Sequence, residues 1–281
     1  MVTTSVLAVL AAILFPVFRS AIEAAKRSHC ANNYRQIGAA LALYQADYDD
    51  SVPPVNYKDV DMLNPGQDQT WVQTLLPYTR SFQVFMCPAD TGRGGGFSFA
   101  EDGGSGEPSD PWSDYYLRSL RSNLGYNYMY FSPLVLLNSG EWEAFPIKGS
   151  RVVNPAGTLV FIDSVWDRSG SGVPFGGGSW VVVPPCRYKE QQGQWVDTFE
   201  FVYGTQSFFG FEPGGWLPES SMSWLVYGGA WPWHRGRFNV MFFDGHVKSV
   251  PLGVLTKGCD VEPEWNGPIK NGEEYIWDLN E

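Results

Sequence analysis

Few side chains in this sequence can do acid–base, nucleophilic or metal chemistry. There are three histidines, His29, His234 and His246, and four cysteines, Cys30, Cys87, Cys186 and Cys259. No HExxH, GxSxG, Walker or GxGxxG sequence occurs, and GGSWV at residues 177–181 misses the nucleophile-elbow pattern at its last position. One cluster stays open. Asp163, His234, Asp244 and His246 would offer nitrogen and oxygen ligands to a divalent ion if the FIDS run neighbours the last hairpin. Acidic loop oxygens are the alternative, a calcium-type site. The expectation from these counts is no enzyme and no obligatory cofactor.

The cysteines form no CxxC pair, which argues against zinc ribbons and thioredoxin-type redox chemistry. An even count at wide spacing fits two disulfides and a compartment outside the cytoplasm, with four reduced core cysteines as the alternative. By count alone, all three pairings are open.

A binding reading comes from the tryptophans. Trp112, Trp142, Trp166, Trp180, Trp195, Trp216, Trp224, Trp231 and Trp233 would serve as stacking platforms in a membrane-tethered extracellular adhesin or carbohydrate-binding module. The same residue type also fills the core and the subunit interfaces of a thin β domain. Net charge is −11, and residues 1–50 contribute none of it, because Arg19, Lys26, Arg27 and Arg35 balance Glu23, Asp47, Asp49 and Asp50. A head of that sign repels phosphate backbones, so nucleic acid is not an expected partner.

The elements that must position these residues begin with an uncharged run, MVTTSVLAVLAAILFPVF, at residues 1–18. As a helix it would be about 27 Å long, just short of a bilayer's hydrocarbon thickness. The helical pattern continues beyond Arg19, with Ile22, Cys30, Tyr34, Ile37, Leu41, Tyr44 and Tyr48 recurring on one face. This predicts one helix over about residues 1–50, kinked at Pro16, whose first third is apolar all round and whose remainder packs on a head spanning 51–281. Val6, Leu7, Val9, Leu10, Ile13, Leu14, Phe15, Val17 and Phe18 each forgo roughly 1.5–3 kcal/mol in water. With Pro16 they form the segment that lipid or other copies of the helix must cover.

With 31 Gly, 20 Pro and 16% aromatic residues, the rest reads as short strands, turns and long loops. The fold class expected is α+β, a long N-terminal helix packed on an antiparallel β-sheet head. Trp71–Tyr78 reads as a short helix ended by Pro77, and residues 92–114 as a Gly-rich acidic surface loop. Strands are predicted at 124–131, 157–163, 178–184, 195–203 and 237–243. FNVMFFDGHVKSV closes as a hairpin, with Asp244–Gly245 predicted in a type I′ turn that needs positive φ at both residues. His234 is expected to hydrogen-bond across to that hairpin, giving His234, Asp244 and Gly245 a structural role.

Two stretches resemble bacterial proteins of the type IV pilin-like or pseudopilin kind that carry a prepilin-type N-terminus and a C-terminal H-x9-DG motif. AVLAAILFPVF at 8–18 and SHCANNYRQIGAALALYQADYDDSVPP at 28–54 carry it at one end. HRGRFNVMFFDGHVKSV carries it at the other, with His234, Asp244 and Gly245 at the motif's spacing. FMCPAD at 85–90, LGYNYMYF at 124–131 and GTLVFIDS at 157–164 resemble internal landmarks, and roughly 165–230 is not covered.

The resemblance implies a structural, secreted filament or fimbrium subunit assembled helically from identical copies. It implies export by a pilus or type II secretion assembly machinery, an inner-membrane stage before assembly, and a place at the cell surface, where cell adhesion is a common role. It also implies the pairing Cys30–Cys87 and Cys186–Cys259, since the first pair sits in two of the landmarks. Family members begin with a basic leader and a Gly-Phe-Thr-Leu-Ile-Glu type cleavage site. No such sequence precedes Val2, and Thr4 and Ser5 stand uncharged where a glutamate is expected. Arg19, Lys26 and Arg27 after the apolar run would by charge alone keep the head in the cytoplasm. The cysteines and the resemblance point outside.

Overall fold

A single helix, α1 (Val2–Asp47), runs through the apolar segment, past Pro16, and on into the head. The structure, a computed structural model, describes residues 2–57, 69–92, 118–137, 142–168, 174–197, 227–261 and 267–279. The helix is rich in alanine and has no glycine before Gly38, so apart from Pro16 its backbone meets no strong breaker until the chain is already packed. It ends where Asp49 and Asp50 take φ of 54° and 62°, and the Asp50 N–H returns to the Gln45 carbonyl at 2.8 Å. Aspartate is among the few residues that tolerate this left-handed geometry.

The packed seam of α1 is Cys30, Tyr34, Ile37, Leu41 and Tyr44, each at most 3% exposed. Their alternating spacing of four and three residues keeps one stripe against the sheet. Ile22 and Tyr48, expected on that face, are 51% and 53% exposed, because the head covers the helix only from Cys30 to Tyr44. At Gly38 an added Cβ would lie 3.2 Å from Met241 Sδ and 3.4 Å from the Gly245 Cα. The absent side chain therefore lets helix and hairpin approach closely.

The head is built from short strands: β1 (Asn56–Tyr57), β2 (Gln69–Thr70), β3 (Leu124–Tyr126), β4 (Leu134–Leu136), β5 (Trp142–Ala144), β6 (Leu159–Asp163), β7 (Asp167–Arg168) and β8 (Pro174–Phe175). They continue with β9 (Cys186–Gln191), β10 (Gln194–Asp197), β11 (Arg237–Phe242), β12 (Val247–Pro251) and β13 (Gly267–Pro268). The main sheet is antiparallel, in the order β12-β11-β6-β3. A second sheet runs β10-β9-β13, with β13 parallel to β9. The fold is α+β, a long N-terminal helix on antiparallel sheets. β6 is buried along its whole length, and α1 packs on β11 and β12 from one side.

Against α1 also packs α2 (Trp71–Thr79), started by a capping box in which Gln73 Oε1 accepts from the Thr70 N–H at 2.8 Å. Pro77 does not end it. The helix runs two residues further, to Thr79, and is capped by Arg80, whose φ is 56° and whose N–H bonds the Leu76 carbonyl at 2.8 Å.

Other expectations are corrected by hydrogen bonding. The run 124–131 is a strand only to Tyr126, then a single helical turn from Tyr128 to Phe131. Asn127 turns the chain, its Nδ2 donating to the Leu159 carbonyl at 2.9 Å and the Trp277 carbonyl at 2.7 Å. The buried run 178–184 forms one bridge, Val181 to Tyr126, rather than a strand. Its N–H groups go to scattered carbonyls, Leu120, Tyr126 and Gly228 among them. Of the strand expected at 195–203, the described part ends at Asp197. The acidic loop lies outside the described residues beyond Gly92.

The last hairpin forms as expected, but its turn differs. Gly245 has φ 85° while Asp244 is not among the positive-φ residues, so the turn is not type I′. The Gly245 N–H bonds the Phe242 carbonyl at 2.9 Å and the Phe242 N–H bonds the His246 carbonyl at 3.0 Å, the pattern of a three-residue loop closed by a left-handed glycine. A two-residue turn with both φ positive occurs instead at Gln192–Gly193, with φ of 53° and 80°, between β9 and β10.

Candidate functional site

Two features of this fold can act on other molecules: the bare part of α1 and the neck where α1 meets the head. On the bare part, Leu10, Ile13, Leu14, Phe15, Val17 and Phe18 are between 51% and 69% exposed. The side chains of Val6, Leu7 and Val9 lie outside the described residues, and Pro16 sits inside the helix without ending it. Among the described residues no helix is long and apolar enough to cross a membrane.

The neck is closed by Cys30–Cys87, with Cα atoms 5.3 Å apart, which ties α1 to the segment after α2. Cys186–Cys259 ties β9 to the C-terminal part. The Cys87 segment is seated by two asparagines. Asn123 Oδ1 accepts from the Cys87 N–H at 2.9 Å, and Asn33 Nδ2 donates to the Met86 carbonyl at 2.8 Å. Behind the disulfide, Asp163 ends β6 fully buried. Its Oδ1 accepts from the Tyr34 hydroxyl at 3.0 Å and its Oδ2 from the Asn239 N–H at 2.6 Å. Trp233 Nε1 donates to the Ser164 carbonyl at 2.8 Å.

His234 completes the cluster. It is 4% exposed, and its Nε2 lies 3.6 Å from Cys87 Sγ and 3.7 Å from Asp163 Oδ2. Burial pushes Asp163 up to about 8, against the opposing pull of hydrogen bonds from Asn239 and Tyr34. Burial pulls His234 down to about 4, with Glu23 opposing and Arg27 and Lys26 reinforcing. At neutral pH, therefore, both groups are uncharged, which is how a low-dielectric site accommodates two titratable side chains.

The four-residue metal cluster does not assemble. His234 and Asp163 meet at the neck, while Asp244 and His246 pair at the exposed hairpin tip, Oδ1 to Nδ1 at 2.5 Å. The two ends of β11 are about 17 Å apart by strand rise, so His234 meets the hairpin at its start, exchanging backbone hydrogen bonds with Arg237 at 3.3 Å, and not at the Asp244–Gly245 tip. The ligating atoms of Cys30, Cys87 and His234 lie within 4.8 Å of one another. With the sulfurs joined, no thiolate charge is available to hold an ion there.

The described tryptophans of the set expected as stacking platforms divide between the core and the surface. Trp180 and Trp233 are buried, Trp166 is stacked under the Arg121 guanidinium at 3.4 Å, and Trp195, 45% exposed, sits beneath the Lys270 ammonium. Trp112, Trp216 and Trp224 lie outside the described residues, as does the side chain of Trp142. Sequence reading took Tyr34 as a packing residue and missed its hydroxyl's partner. It also missed Asn123, which follows Arg121 and Ser122 and carries no such signal, and Asn127, whose signal is a polar residue inside LGYNYMYF.

Residues 19–81 match a family of proteins of unknown function (DUF1559). The match starts as the apolar run ends and closes just past α2, so it covers the head-bound part of α1 and Cys30 but not Cys87, His234 or Asp244–Gly245. The matched stretch is less than a quarter of the chain. No curated protein and no solved structure matches the chain significantly.

Proposed function

We propose that this chain is the structural subunit of an extracellular filament, of the type IV pilus or type II secretion pseudopilus kind, assembled through its hydrophobic N-terminal helix. The observation that carries the reading is the division of one helix into two environments. From Leu10 to Ile22 its large apolar side chains stand in solvent, and from Cys30 to Tyr44 one face of the same helix is buried against the head and held there by a disulfide. Exposed apolar surface of that extent is stable only when covered. Identical helices bundled in a filament core cover it, and a membrane covers it before assembly. A rigid join between stalk and head then fixes how heads are displayed around the core.

Two disulfides are compatible with a secreted, surface-exposed head, and the family match covers residues of the stalk. In this reading the role is structural rather than enzymatic, and the partners are further copies and the assembly machinery that extracts the subunit from the inner membrane.

The test compares the full chain with one lacking residues 1–18. In negative-stain images the full chain released from detergent forms filaments, and the shortened chain runs as a soluble monomer on gel filtration. A shortened chain that still polymerises would show that the head drives assembly, and the reading would fail.

A further inference from the structure

Where α1 leaves the head, a cavity of about 240 Å³ opens between the helix and the turn that precedes β11, lined by Glu23, Arg27, His234, Arg235 and Arg237. The chain carries a net charge of −11, yet this recess gathers three guanidinium groups against a single carboxylate. Glu23 is already engaged by Lys26 at 3.4 Å. Arg237 is anchored on Ser249, its Nε donating to Oγ at 3.2 Å and its Nη2 to the carbonyl. Among the described residues neither Arg27 nor Arg235 has an ion-pair partner.

The inner wall supplies an independent pointer. His234 is 96% buried, being 4% exposed, and its Nε2 faces the disulfide and Asp163. His234 lines the recess, and its Nδ1 is buried and has no hydrogen-bond partner among the described residues. A buried ring nitrogen without a partner is costly unless a ligand or water supplies one.

The turn itself is a third. His234 and Arg237 exchange both backbone hydrogen bonds at 3.3 Å, which leaves Arg235 and Gly236 at its apex with φ of 55° and 76°. A long cationic side chain stands where glycine or asparagine is conformationally easier, and this placement aims a guanidinium at the recess.

We propose that this recess binds a phosphate-class anion, clamped by Arg27 and Arg235, with Arg237 as a fixed positive wall and His234 Nδ1–H as the innermost donor. Guanidinium forks suit the paired oxygens of phosphate, and a buried donor adds orientation. The recess begins within a turn of Phe18, where the apolar run ends, so the phosphate comes either from solution or from the headgroup of an anionic lipid covering that run.

The experiment follows the imidazole nitrogens by 15N NMR in the full-length chain, dispersed in neutral detergent and then in phosphatidylcholine nanodiscs with or without phosphatidylglycerol. The probe for the solution source is inorganic phosphate, its affinity measured by calorimetry. Movement of the His234 Nδ1 resonance with inorganic phosphate identifies the solution source. Movement only when phosphatidylglycerol is present identifies the headgroup source. In either case the Arg27→Gln/Arg235→Asn double variant, whose asparagine suits the left-handed turn, weakens binding at least tenfold while keeping both disulfides and the wild-type far-UV spectrum. An Nδ1 resonance unmoved by both probes, or equal affinity in the double variant, overturns the proposal. Neither result depends on polymerisation: a chain that binds phosphate but forms no filaments keeps this site and loses the filament reading, and the converse holds.

Discussion

The Tyr34 hydroxyl donates to Asp163 Oδ1 at 3.0 Å, joining the middle of α1 to the end of β6 across 129 residues of sequence with no access to solvent. Burial raises the Tyr34 hydroxyl well above its ordinary value, as the nearby Asp163 does to a lesser degree, so it remains a donor at any physiological pH. Tyr34→Phe keeps the ring and strips the buried carboxyl of one partner. We expect a loss of about 1–3 kcal/mol in denaturant unfolding. A variant as stable as the parent would show that the bond contributes nothing net.

Stability should also depend on pH through the neck. Folded Asp163 keeps its proton up to about pH 8 against 3.8 for an ordinary carboxyl, so its contribution is full in acid and is lost as pH rises through about 8. His234 runs the other way, at about 4 folded against 6.5, so its contribution is full above 6.5 and is lost as pH falls through about 4. The two slopes oppose each other between about 4 and 6.5, and from 6.5 to about 8 that of Asp163 stands alone. There, unfolding free energy should fall by about 1 kcal/mol per pH unit. Asp163→Asn should flatten that fall, as read from urea midpoints across the range.

Opening Cys30–Cys87 releases a loop with a sequence separation of 57. The chain-entropy estimate for the Cys30→Ala/Cys87→Ala variant is a loss of about 4 kcal/mol. Hydrogen exchange should then rise first in the part of α1 around Cys30, because the seam from Tyr34 to Tyr44 retains its own packing. Uniform loosening of the whole helix would contradict this order.

At the tip of the last hairpin, Gly245 has φ 85°, and an added Cβ would meet nothing within 4 Å. Any cost of substitution is therefore backbone strain and not collision. Gly245→Val should lose more than about 1 kcal/mol, and Gly245→Asn clearly less. Equal thermal shifts for the two variants would remove the left-handed requirement.

Local pattern was enough for the features that depend on near neighbours. The helix from the apolar run to Asp47 follows from alanine-rich sequence with helical spacing, which carries it past Pro16. The β11–β12 hairpin follows from alternation around Asp244–Gly245. Composition set the terms for a turn-rich head, and four scattered cysteines set those for two disulfides. Tertiary structure alone decided that the seam begins at Cys30 and leaves Ile22 bare, since exposure depends on where a distant sheet ends. It decided that Asp163 and His234 share a buried neck while Asp244 and His246 stay at an exposed tip, because strand length separates residues that look clustered in the sequence. It also gathered Arg27 and Arg235 around one recess with His234. Burial, orphaned polar atoms and shifted proton affinities are set by groups far away along the chain, and no local propensity encodes them.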